Sequence, residues 1–178
     1  MEPFQIINRN TIYQGRIFDI SQDLVTLPDG KQHLYDTIVH PGGAAILPVD
    51  GEGNVYLVKQ YRPAAEQFLL EIPAGRIEPG EDPREGVIRE LREEVGLYAE
   101  TVEKITSVYS TAGLCSEVLH LYYAEGLTSG EQDLDEDEYI EIVKMPLAEL
   151  EAMILRGEII DAKTIVAVTM YILNQKHK

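Results

Sequence analysis

The stretch GRIEPGEDPREGVIRELREEVGL, Gly75 to Leu97, constrains this chain more than any other, because it writes a helix with both ends marked and crowds three glutamates onto it. Asp82 is a good N-cap, and Pro83 suits the first helical position, where its missing N–H costs nothing. Glu85 stands three residues after the cap, as in a variant capping box, and Gly96 is the expected C′ stop. Val87, Ile88, Leu91 and Val95 recur at i, i+1, i+4 and i+8, an apolar stripe made for a core. At about 100° per residue, Glu90, Glu93 and Glu94 share an arc of roughly 100° on another face, where they can converge on one cation.

A solvated acidic face is the competing reading, since like charges one turn apart cost a helix only about 0.2–0.5 kcal/mol per pair. Arg89, placed to pair with Glu85 or Glu93, fits either reading. The full spacing decides. Gly75, Glu81, Arg89, Glu90, Leu91, Glu93, Glu94, Gly96 and Leu97 stand in a pattern that resembles the Nudix box at every fixed position. Within it, Gly75 is expected to let the chain turn tightly, and Glu78, Pro79 and Gly80 carry it into the helix. The resemblance implies a loop–helix–loop that binds Mg²⁺ or Mn²⁺ against a diphosphate, a task for which hard carboxylate oxygens are the right ligands.

Composition narrows the partners. The 31 acidic and 15 basic residues give a net charge of −16, which argues against nucleic acid and anionic membranes but not against a small phosphate compound met by cations inside a cleft. Cys115 is the one cysteine, so no intramolecular disulfide forms, and it reads as a small packed residue rather than a nucleophile. The start MEPFQIINRN lacks a signal peptide's apolar segment, and no apolar run reaches membrane-spanning length; the expected location is cytoplasmic.

Along the chain, TIYQGRIFDI, DLVTL and QHLYDTIVH, with the turn Pro28, Asp29, Gly30, read as a β meander over 11–40. AAILPV and NVYLVKQYR flank the turn DGEG as core strands. FLLEIP leads into the box, ITSVYST and EVLHLYYAE follow it as strands, and LAELEAMILRG and AKTIVAVTMYILNQ read as helices. Strands mixed with three helices predict an α/β fold: an α/β/α sandwich with a mixed sheet (43–178) and an N-terminal antiparallel β appendage (1–42).

The resemblance extends beyond the box. QYR before it, EIPAG leading into it and GEIIDAKTI near the end are similar to bacterial ADP-ribose pyrophosphatases over almost the whole chain. That subfamily implies a homodimer with exchanged N-terminal strands, 1–42 crossing to the partner. By the same resemblance Glu90, Glu93, Glu94 and the carbonyl of Ala74 bind metal, while Glu81 and Arg89 orient the loop and the ligands, with Arg89 counted in the catalytic machinery. Arg62 contacts substrate, a surface pair with Glu66 being its alternative, and Glu117 and Gly113 join it. The acidic segment DLDEDEYIE supplies the general base: Glu136 first, by alignment through YIEI, then Glu138, with Glu93 of the box third. Two departures stand out. Tyr35 occupies the place of an arginine that reaches substrate in many relatives, and Ala112 stands where the subfamily has proline.

The expected activity is therefore Mg²⁺-dependent hydrolysis of a nucleoside diphosphate sugar, foremost ADP-ribose to AMP and ribose 5-phosphate, without a covalent enzyme intermediate. Alternatives are another substrate, such as GDP-mannose, another nucleotide sugar, a dinucleotide polyphosphate or an oxidised nucleoside triphosphate, or a sensor that binds a nucleotide sugar without cutting it. The intact glutamate set argues against the sensor.

Overall fold

A computed structural model describes residues 2–134 and 138–177. Their order is β1 (Gln5–Gln14), β2 (Asp19–Thr26), β3 (Gln32–Val39), β4 (Gly43–Pro48), β5 (Asn54–Arg62), β6 (Gln67–Glu71), β7 (Ala74–Arg76), α1 (Pro83–Val95), β8 (Leu97–Tyr109), β9 (Val118–Ser129), β10 (Ile140–Pro146), α2 (Leu147–Leu155) and α3 (Ala162–Lys176). The chain divides into two compact units, Met1–Gly42 with Tyr109–Val118, and Gly43–Val108 with Leu119–Lys178.

The first unit is an antiparallel sheet of order β1-β2-β3. The meander starts earlier than the sequence predicts. Gln5 pairs with Thr26, and the run read as one strand from residue 11 to 20 breaks at a turn in which Gly15 N–H donates to Phe18 O at 3.1 Å. Arg9 and Asp23 face each other across β1 and β2, joined by a fork of 2.8 and 2.6 Å. Ile38 N–H donates to Leu114 O and Ser116 N–H to Ile38 O, which ties 109–118 to β3.

The second unit carries two sheets, β10-β5-β6 and β7-β4-β9-β8, in which β4 and β9 run parallel while β4–β7, β5–β6 and β5–β10 are antiparallel. Every residue of β4 is buried, and alternation explains how. Ala45 and Leu47 join Leu57, Leu121, Leu150 and Val168 in one core, against α2 and α3. Ala44 and Ile46 join Val58, Tyr122, Val87 and Leu91 in a second core, against α1. The strands thus lie between helices on both faces, the α/β/α sandwich. Burying each Val, Leu or Ile side chain among them contributes about 1.5–3 kcal/mol, so α1 is held firmly by Val87, Leu91 and Val95.

Among the described residues, no helix is long and apolar enough to cross a membrane.

Candidate metal and diphosphate site

The helix that carries the glutamates is set at both ends as its sequence dictates. Asp82 accepts the N–H of Arg84 at 2.8 Å, and Glu85 turns to Arg84, 3.5 Å from its Nη1. Gly96 adopts φ 67° and donates its N–H to Arg92 O at 2.8 Å, closing the last turn. Because Leu91 and Val95 face the core, Glu90 and Glu94 are drawn down beside it, 9% and 3% exposed.

Glu94 Oε2 accepts the backbone N–H of Ala74 at 2.8 Å. Ala74 begins β7, paired through Ala45 to the fully buried β4, so the carboxylate rests on rigid backbone. Gly75, the next residue, pairs with Ala44. Its role differs from the tight turn expected of it: a Cβ there would lie 1.9 Å from Glu90 Oε1, so the missing side chain is the room that Glu90 occupies. The turn falls instead at Gly80, with φ 84°.

Arg89 sits among the acidic groups. Its Nη1 donates to Glu90 Oε1 at 2.7 Å and to Glu93 Oε2 at 2.9 Å, and its Nε to Glu81 Oε1 at 3.3 Å. Of the two partners considered for it, Glu93 is realised and Glu85 is not; the sequence did not point to Glu81 and Glu90. Glu81 also accepts the N–H of Glu78 at 2.9 Å, and these two contacts, the backbone bond first, hold its carboxyl below the ordinary range. Gly86 leaves space for it, since a Cβ would come within 2.9 Å of Glu81 Oε2.

Burial raises Glu90 above the ordinary glutamate range despite Arg89, and pushes Glu94 up to about 8, with the charges of Glu90 and Glu138 adding in the same direction. Among the described residues, no three acidic, imidazole or thiol side chains are grouped as a finished metal site, for Glu90 and Glu93 face Arg89. The donor set nonetheless fits a hard divalent cation. Burial keeps Glu90 and Glu94 raised even though Arg89 and Arg62 act on them, and a cation would remove that penalty on their ionisation.

Arg62, at the end of β5, is forked onto Glu71 of β6, Nε to Oε1 at 2.7 Å and Nη2 to Oε2 at 2.9 Å. The partner is a buried glutamate, not the surface Glu66. The charge of Arg62 also acts on Glu94, and Glu94's on Arg62. Glu71 is the residue that sequence reasoning missed. Its signal was present in FLLEIP, where a single acid inside an apolar strand must find cations.

Gln132 Nε2 donates to Glu94 O at 2.6 Å and Asp133 N–H to Glu93 O at 3.0 Å, so the start of the acidic segment satisfies carbonyls at the C-terminal end of α1. Further along, Glu138 is half-buried, its charge felt by both Glu90 and Glu94. Glu136 lies outside the described residues.

Tyr35, Gly113 and Glu117 belong to the first unit. Tyr35, on β3, stands edge-on to His33 with centroids 5.1 Å apart, and Glu117 Oε1 lies 3.4 Å from His40 Nδ1. That nitrogen accepts the N–H of Gly42 at 3.1 Å. Gly113 has open space where a side chain would stand.

The family model of the NUDIX domain matches residues 39–168. The chain belongs to the Nudix hydrolase family. Members generally use divalent metal ions, in keeping with the carboxylates of α1. This Nudix hydrolase is 38% identical over 164 residues to the ADP-ribose pyrophosphatase of Bacillus subtilis, covering 91% of this chain and 89% of that one. It is also 38% identical over 176 residues to the methanol dehydrogenase activator of Bacillus methanolicus, covering 97% and 95%. A crystal structure of an ADP compounds hydrolase superposes with TM-score 0.87 over 99% of this Nudix hydrolase and 96% of that chain; at 22% identity the likeness is one of fold.

Proposed function

We propose that this Nudix hydrolase splits the diphosphate of a nucleoside diphosphate sugar with Mg²⁺, or Mn²⁺ in its place, and that ADP-ribose, cut to AMP and ribose 5-phosphate, is its substrate. The observation that carries the reading is the placement of Glu90 and Glu94, both buried, with Glu94 bonded to the backbone of Ala74 and within electrostatic reach of Arg62. Glu90, Glu93, Glu94 and the carbonyl of Ala74 would hold the cation. A divalent ion held by them would supply charge to offset that of the diphosphate oxygens and would lower the pKa of bound water.

The chain's own residues do the rest. Arg62, gripped by Glu71 along one edge, offers the Nη1 edge of its guanidinium to a phosphate oxygen. A glutamate of the acidic segment takes the proton of the water whose oxygen attacks phosphorus, and the bridging P–O bond breaks. Glu138 has support for this in its charge acting on Glu90 and Glu94; Glu136, first by alignment, lies outside the described residues, and Glu93 is the third candidate. Arg89 holds Glu90 and Glu93 in place between turnovers. Tyr35, Gly113 and Glu117 are assigned to substrate contact in this reading.

The acting species is a homodimer joined through residues 1–42. Support comes from β1, a ten-residue edge strand exposed along its whole length, on which Ile6, Ile7, Ile12 and Tyr13 are each more than half exposed.

A panel with Mg²⁺ comparing kcat/KM for ADP-ribose, GDP-mannose, other nucleotide sugars, dinucleotide polyphosphates and oxidised nucleoside triphosphates tests the substrate. ADP-ribose is expected to rank first. A different nucleotide sugar winning by tenfold, about 1.4 kcal/mol of transition-state discrimination, would overturn that choice and leave the metal chemistry standing. Binding without cleavage of anything on the panel would make the chain a sensor.

A second reading is that the chain activates a methanol dehydrogenase, favoured by its 38% identity over nearly all its length to such an activator. Adding the chain to a methanol dehydrogenase, with and without Mg²⁺, and following the oxidation rate separates the two.

A further inference from the structure

Glu71 is 1% exposed, yet its carboxylate collects more cationic charge than any other buried acid described in the second unit. Beside the fork from Arg62, Oε2 accepts Nζ of Lys163, the second residue of α3, whose side chain is only 10% exposed. Lys163 gives a second bond to Asp161 Oδ1 at 3.0 Å. Asp161 caps the helix, accepting Thr164 N–H at 3.0 Å and Thr164 Oγ1–H at 2.6 Å. Thr164 Oγ1 in turn accepts the N–H of Ile72, the residue after Glu71, at 2.9 Å. The first turn of α3 is thereby locked onto the strand that carries Glu71.

Burial alone would raise the Glu71 carboxyl, but Arg62 and Lys163 together bring it below the ordinary glutamate range. A carboxylate this deep keeps its charge because it has two cations, and only an ionised carboxylate can accept both arms of the Arg62 fork. The fork fixes a long and otherwise freely rotating side chain in one pose. Arg62 is 39% exposed on its side chain, so without that grip it would have solvent to move into.

We propose that Lys163 is a positioning residue for hydrolysis: with Glu71 it holds the Arg62 guanidinium in the orientation that meets a diphosphate oxygen at the Glu90–Glu94 cluster. Lys163 itself touches no substrate and acts through Arg62. The inference rests on the role given to Arg62 above. Asp161 matters to it twice, as the cap that places Lys163 and as the second anion that holds its ammonium.

The test is a double-mutant cycle on the full-length enzyme, with Mg²⁺ and ADP-ribose, over Arg62→Ala, Lys163→Met and the pair. Lys163→Met is expected to raise KM about tenfold with a smaller loss of kcat, and Lys163→Arg to restore most of it. The pair is expected to be no worse than Arg62→Ala alone, because an arginine that is absent cannot be positioned. Losses that multiply, or a Lys163→Met enzyme with unchanged kcat/KM, overturn the proposal. Melting curves check folding. If Lys163→Met does not fold, Lys163→Gln keeps one donor to Glu71 and carries the same non-multiplicative expectation. If wild-type enzyme fails to cut ADP-ribose, the substrate reading is at fault, and the cycle is run on the best compound of the panel. If wild-type cuts but Arg62→Ala is as fast, the role of Arg62 is refuted and that of Lys163 with it.

Discussion

The Glu90 carboxylate occupies the space that a side chain on Gly75 would fill, with a methyl there only 1.9 Å from Oε1. Gly75→Ala is expected to leave the fold intact, because the clash falls on the movable end of Glu90; the stability change should stay within about 1 kcal/mol. Hydrolysis should fall by about tenfold or more, and the Mg²⁺ concentration for half-maximal rate should rise, as Glu90 is forced from its place. Melting curves together with a Mg²⁺ titration of the rate check both parts; an unchanged Mg²⁺ requirement would remove Glu90 from the ligand set.

Glu94 links metal, pH and stability. Its pKa is pushed up to about 8 by burial, from an ordinary 4.5, so across that window the unfolded chain has released a proton that the folded chain still holds. Folded metal-free protein binds more protons, and its stability therefore falls as pH rises from about 4.5 to about 8, by on the order of a few kcal/mol. Glu90, raised for the same reason, acts in the same direction. Glu94→Gln is expected to flatten this slope in urea titrations across pH while cutting turnover by roughly three orders of magnitude. Added Mg²⁺ should raise the melting temperature of wild type most at high pH, and barely that of Glu94→Gln. A wild-type stability that climbs with pH over this range would contradict the burial argument.

The general base can be found by comparing three substitutions. Glu138→Gln is expected to lower kcat strongly with little change in KM, as befits a group that acts on the attacking water rather than on the ground-state substrate. Glu136→Gln and Glu93→Gln, measured alongside over a pH range, decide among the candidates. The one whose loss abolishes the fall of kcat toward acidic pH is the base, and a mild Glu138→Gln removes that residue from the role.

Residues 1–42 should make the enzyme a dimer. Mass in solution is expected at twice that of one chain, 20.0 kDa each, and deletion of residues 1–40 should abolish the dimer and most of the substrate affinity. A monomeric full-length enzyme with ordinary activity would count against an exchanged segment.

Much of the local structure was legible because its causes are local. Asp82, Pro83 and Gly96 mark α1 through requirements of the helix ends themselves, and the 3.6-residue period sends Leu91 to the core and Glu90 and Glu94 to a common side. The strands β4 and β5 around the turn at 50–53 followed from the apolar stretches AAILPV and VYLV. The first strand was harder to read. TIYQGRIFDI keeps the composition of a strand through a turn, and only pairing with β2 shows that Gly15 bends the chain.

Residue order alone carries the chemistry: which residues are charged, that three glutamates share one helix side, and that their spacing is that of the Nudix box. Tertiary structure decided how those charges are satisfied. Gly75 makes room for a carboxylate fifteen positions on, Arg89 reaches back to Glu81, and Arg62 and Lys163, 101 residues apart, meet on Glu71. No periodicity encodes such meetings, since they depend on which strands and helices pack together. Burial then sets their strength, lifting Glu94 where solvent is excluded and holding Glu71 ionised where two cations replace the water it has lost.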